Sequence, residues 1–67
     1  MRIPVAWDTE GTKRKIKEAA TAEFAQYGPD GTTVEHIAKK AGVNKERVYN
    51  YFGGKRKLFA TILRDEL

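Results

Sequence analysis

Sixty-seven residues with a net charge of +4 allow one small domain. A chain this short buries only about 60% of the surface its unfolded form exposes, which leaves little room for a ligand pocket. With no cysteine, a disulfide framework and a thiolate metal site are excluded, so helix packing must supply the stability.

Residues 1–11 lack helical periodicity and include Pro4 and Gly11, which predicts a flexible N-terminal arm. Trp7 either docks on the outside of the helices or belongs to a boundary segment, and Arg2 could reach a minor groove as basic arms do. A first helix is expected over 12–27, with Ile16, Ala19, Ala20, Phe24 and Tyr27 on its buried side and Glu18, Glu23 and Gln26 facing water. Lys13, Arg14, Lys15 and Lys17 cluster at its start, where cations oppose the macrodipole, so either an anion lies nearby or they are simply solvated. Gly28-Pro29-Asp30-Gly31 ends this helix and turns the chain. Either Thr32 or Thr33 can cap the next one, and the Thr32 to Glu35 spacing fits a capping box.

From Thr33 to Lys55 the pattern is two short helices joined by a tight turn. Val34, Ile37, Ala38 and Ala41 form one apolar stripe, and Gly42 stops the helix. Val43 is an apolar plug, and Asn44 is expected to cap a helix that starts near Lys45 by accepting a backbone N–H. Val48 and Phe52 mark the buried side of this second helix, leaving Glu46, Arg47 and Asn50, flanked by Tyr49 and Tyr51, on an outward arc. Two helices with a glycine-containing turn are the spacing signature of a DNA-binding helix-turn-helix, although helical hairpins in ordinary bundles share it. After Gly53-Gly54, a fourth helix carries Leu58, Phe59, Ile62 and Leu63, and Leu58, Phe59 and Ile62 can close a core over Ile16, Phe24, Ile37, Val48 and Phe52. The last helix runs to the end without a stop signal, so a longer natural protein is expected.

Seven of the thirteen basic residues and only one of the nine acids lie between Lys39 and Lys57, so the positive field sits on the hairpin and its exit. That is the footprint of a phosphate-binding surface, or else a solvated lysine face. Gly53-Gly54-Lys55 is not a phosphate-binding loop of the Walker type, because Tyr49 and Arg56 stand where glycine and Ser or Thr are needed. With one histidine, His36, and scattered carboxylates, neither a metal site nor a catalytic constellation can be assembled, so an enzyme is not expected and no cofactor is implied. No apolar run approaches the roughly 18 residues of a membrane span, and no signal-peptide core is visible, which makes an intracellular protein the expectation.

Over about residues 12 to 64 the chain resembles the N-terminal DNA-binding domain of the TetR (tetracycline repressor) family of bacterial transcriptional regulators. The matching residues are Ile16, Ala19-Ala20, Phe24 and Gly28; Thr33-Val34 with Ile37-Ala38; Ala41-Gly42-Val43; and Tyr49, Tyr51-Phe52, Lys55 and Leu58-Phe59. The resemblance implies an all-α, homeodomain-like three-helix domain over 12–67, including the start of a fourth helix that leads into a helical C-terminal domain absent here. It further implies a cytoplasmic, nucleoid-associated homodimer formed through that domain, whose recognition helices enter successive major grooves of a palindromic double-stranded operator, usually to repress. A small-molecule effector would bind the missing domain. Carried over by position, Thr33, Asn44, Tyr49, Tyr51 and Lys55 are implied phosphate contacts, and Lys45, Glu46, Arg47 and Asn50 are implied base contacts. Departures from the family pattern include Glu46 in place of a small residue, Asn44 for serine, Pro29 for an aromatic and Lys17 for leucine. Glu46 could accept from a cytosine amino group or pair with neighbouring cations. Glu35 stands where some members carry a basic contact, and that role is not transferred.

Two other readings compete. A protein-interaction module would keep the helices and use the basic face on an acidic partner, and sequence discrimination on DNA separates it from a regulator better than salt dependence does. A membrane-surface role would require insertion of the first helix, whose apolar face is small.

Overall fold

The computed structural model describes residues 5–66, with side chains described from 10 to 65. Four helices follow one another: α1 (Val5–Tyr27), α2 (Val34–Ala41), α3 (Lys45–Phe52) and α4 (Lys55–Glu66). The all-α, three-helix arrangement with a fourth helix is as expected. Among the described residues no helix is long and apolar enough to cross a membrane.

Helix α1 begins at Val5, not near Thr12, so most of the expected arm of residues 1–11 is helical. A lone glycine such as Gly11 costs a helix interior about 1 kcal/mol relative to alanine, and extending a formed helix is far easier than nucleating one. The arm expectation for 1–4, and those for Arg2 and the Trp7 side chain, lie outside the described residues. The longer helix also removes the macrodipole argument. Lys13, Arg14, Lys15 and Lys17 sit two turns or more beyond the helix start, where the end effect has faded.

The core forms where α1, α2, α3 and α4 converge. Ile16, Ala19, Ala20 and Phe24 from α1, Val34, Ile37 and Ala38 from α2, Val48 from α3, and Leu58 and Ile62 from α4 are buried. Phe52 and Phe59 pack against this core half-buried, and the Phe59 ring meets Phe24 edge-on at 5.0 Å between centroids. That geometry puts the positive ring edge on a negative ring face, and aromatic pairs of this kind add about 0.5–1.5 kcal/mol beyond their area. Tyr27, expected inside, is 53% exposed, because α1 ends there and the chain turns away at Gly28. Lys17 bridges to Asp65 across the α1–α4 interface. This ion pair ties together the two helices whose apolar sides close the core.

Candidate nucleic-acid interface

The α2–α3 hairpin is closed at each joint by local chemistry. Thr33 has extended backbone and its hydroxyl accepts the His36 N–H at 3.2 Å, capping α2. With Thr33 as the cap, the third helical residue is His36 and not Glu35, so the expected Thr32–Glu35 capping box does not form. At the far end the Gly42 N–H bonds the Lys39 carbonyl at 3.2 Å and the Val43 N–H reaches the Ala38 carbonyl at 3.0 Å. This Schellman closure requires left-handed backbone at Gly42, whose φ is +78°. Val43 then tucks against the core, which sets the angle at which α3 leaves the turn.

Asn44 precedes α3 as expected, and its carbonyl accepts from the Arg47 N–H at 3.0 Å. Its side chain makes no capping bond, contrary to expectation. Among the described residues the exposed amide therefore has no hydrogen-bond partner. It lines a polar cleft of about 450 Å³ with Thr12, Lys15, Gly42, Val43 and Arg47, so the cation of α1 at Lys15 and that of α3 at Arg47 border one space.

On α3, Val48 is fully buried and anchors the helix. Lys45, Glu46, Arg47, Tyr49 and Asn50 are exposed, and Glu46, Arg47 and Asn50 adjoin at helical spacings of three and four. The structure thus places Glu46, Arg47 and Asn50 on one outward arc, whereas Lys45, at the first position of α3, lies off that arc and turns back toward α2. Tyr49 is 51% exposed beside them. Tyr51 differs: its ring is half-buried against the core, with the Lys13 ammonium 5.8 Å from its centroid. Such a cation–π contact joins α1 to α3.

Two of the selected lysines are engaged. Lys45 Nζ donates to Glu35 Oε2 at 3.0 Å, an exposed ion pair from the first residue of α3 back to α2. The hydrogen bond that Lys45 donates to Glu35, reinforced by the charge of the carboxylate, raises the Lys45 pKa above the usual lysine value. Lys55, at the start of α4, donates to the Thr32 carbonyl at 3.0 Å. Its ammonium is thereby held at the peptide that joins Thr32 to the cap Thr33. The first residue of α3 and the start of α4 are in this way both tied to the start of α2.

Glu23, expected to face water, is only 9% exposed, and its Oε1 accepts the hydroxyl of the buried Thr32 at 2.7 Å. Nothing local in the sequence marks this pair, whose members are nine positions apart across a turn. The same holds for Glu35, whose partner lies ten residues on. Among the described residues no group of three His, Cys, Asp or Glu could hold a metal ion.

The model of the bacterial regulatory proteins of the tetR family matches residues 16–62, which includes every residue of the hairpin. The chain belongs to the TetR family. Among curated relatives, the HTH-type transcriptional repressor SCO4008 of Streptomyces coelicolor is 45% identical over 62 residues, covering 92% of this chain and 32% of that protein. The HTH-type transcriptional regulator RutR of Escherichia coli K12 is 42% identical over 55 residues, covering 82% of this chain and 26% of its own length. Among solved structures, HlyIIR, a hemolysin II transcriptional regulator, superposes with a TM-score of 0.81 at 34% identity, covering 88% of this chain and 36% of that one. The chain therefore spans about a third of the length of TetR-family proteins it matches. These relatives are regulators by name and not enzymes.

Proposed function

We propose that this chain is the sequence-specific DNA-binding part of a TetR-family transcriptional regulator, with α3 reading the major groove of double-stranded DNA. The observation that carries this reading is the outward surface of α3, where Glu46, Arg47 and Asn50 are exposed while Val48 anchors the opposite side. Arg47 and Asn50 carry the side-chain types suited to guanine and adenine edges, and Glu46 can accept from a cytosine amino group. Lys45 reads a base once its pair with Glu35 opens. Thr33, Asn44, Tyr49, Tyr51 and Lys55 contact phosphates, which sets the register of the helix on the duplex without selecting sequence. Tyr51 does so through its phenol edge only, since its ring is packed against the core.

In the whole protein the reading extends to a cytoplasmic homodimer that binds a palindromic operator, represses transcription and releases DNA when a small effector binds the C-terminal domain. Relatives named as repressors and regulators support it. The test is titration of the isotopically labelled chain with a short duplex of mixed sequence, following backbone amides. Shifts concentrated at Thr33, residues 44–51 and Lys55 are expected. Shifts confined to the α1 lysines, or none, would overturn the assignment and leave the basic face to an acidic protein partner.

A further inference from the structure

Lys55 and Lys45 are held in chemically different ways. The Lys45 ammonium faces a carboxylate, which neutralises it locally, whereas Lys55 is held by a neutral backbone carbonyl that takes one of its three donors. Lys55 is thereby oriented, and among the described residues its charge and two remaining N–H groups stay available to an anion. The carbonyl in question belongs to Thr32, which is 2% exposed, and the Thr32 hydroxyl is bonded to the Glu23 carboxylate inside the fold. The turn is closed before Thr32 by the Gly28 N–H to Phe24 carbonyl bond at 2.8 Å and the Gly31 N–H to Gly28 carbonyl bond at 3.1 Å, and after it Thr33 accepts from the Ile37 and His36 N–H groups, which leaves the hydroxyl bond to Glu23 as the anchor of the Thr32 side.

We propose that Glu23 is a positioning residue of the DNA interface, which through the Thr32 hydroxyl fixes the carbonyl that holds the Lys55 ammonium beside the Thr33 cap. The inference rests on the reading of Lys55 as a phosphate contact. A buried acid on α1 then does two things at one peptide. It seats the start of α2, and it orients a cation from α4 beside the Thr33 cap. A buried carboxylate and hydroxyl that only stabilised the fold would have no bearing on how Lys55 meets DNA.

The test is the salt dependence of binding of the 67-residue chain to a mixed-sequence duplex, with melting followed in parallel. Removing one phosphate contact, by Lys55→Met, lowers the log–log salt slope by about 0.9, so the loss of affinity across a fourfold rise in salt shrinks about 3.5-fold. Thr32→Val, which deletes the hydroxyl and preserves shape, is expected to lower the slope in the same direction, to have little further effect when combined with Lys55→Met, and to be rescued by Thr32→Ser. Should Thr32→Val not fold, Glu23→Leu removes the acceptor with apolar atoms and addresses the same bond. A lower melting temperature with an unchanged slope, additive with Lys55→Met, would overturn the proposal while leaving Lys55 as a phosphate contact. No change of slope in Lys55→Met would remove that contact and the proposal with it.

Discussion

Two glycines, Gly42 in the hairpin and Gly31 in the turn before it, answer to substitution in the reverse of the order their backbone angles suggest. Gly42 has left-handed backbone, so the ordinary rule marks it as irreplaceable, yet a Cβ built there meets nothing within 4 Å. Gly31 has no positive φ, yet a Cβ there would lie inside van der Waals distance of the Tyr27 carbonyl oxygen and 3.0 Å from its carbon. For Gly42→Ala the left-handed backbone costs about 1–2 kcal/mol, offset by about 0.4–1 kcal/mol of unfolded-chain entropy, which leaves about 1 kcal/mol. For Gly31→Ala the obstacle is backbone at the end of α1 and cannot swing aside. The upper part of the ~1–3 kcal/mol range for overpacking then applies, and after the same offset about 2 kcal/mol remains. At about 4–8 °C per kcal/mol for a domain of this size, Gly42→Ala should melt about 5 °C lower and Gly31→Ala about 10–15 °C lower. Urea and thermal unfolding followed by far-UV circular dichroism would measure both. The reasoning fails if Gly42→Ala proves the more damaging, because that would mean the turn at Gly31 relaxes without cost.

The remaining predictions concern core, charge and readout. Leu58→Ala, at a fully buried position on α4, should cost about 2–5 kcal/mol, a large part of the ~3–10 kcal/mol available to a chain of this length, and urea melts should show a partly unfolded variant. Glu35→Gln should return the Lys45 pKa toward its ordinary value, seen by NMR of the side chain, with little change in stability because the pair is exposed. Since the Lys45 pKa is raised by folding, what stability the pair contributes is present throughout the neutral range and is lost as pH rises past the usual lysine value of 10.5. Asn50→Ala should cost roughly 1–3 kcal/mol at a single operator base pair, whereas Lys55→Met should weaken all sequences alike. Equal effects of the two on every duplex, measured by competition binding, would sink the division between base and phosphate contacts.

The hairpin at the centre of the proposed function is legible from residue order because its signals are local. The stripe of Val34, Ile37, Ala38 and Ala41, a threonine cap before it and the stop at Gly42 each act within one or two turns of backbone, and the structure shows all three in place. The outward arc at Glu46, Arg47 and Asn50 follows equally from the burial of Val48. Local signals misled where the energy balance was shallow: one glycine could not hold α1 back from Val5, and a free choice between two threonines gave the cap to Thr33 and sent Thr32 inside.

What residue order by itself determined is the helix-turn-helix, its polar face and the family to which the chain belongs. Only the tertiary structure decided which side chains are committed: Glu23 to Thr32, Lys45 to Glu35, Lys55 to the Thr32 carbonyl and Lys13 to the Tyr51 ring. Periodicity and capping depend on neighbours along the backbone. Each of these pairings joins residues nine or more positions apart, so it exists only once packing of the core has fixed the distances between helices.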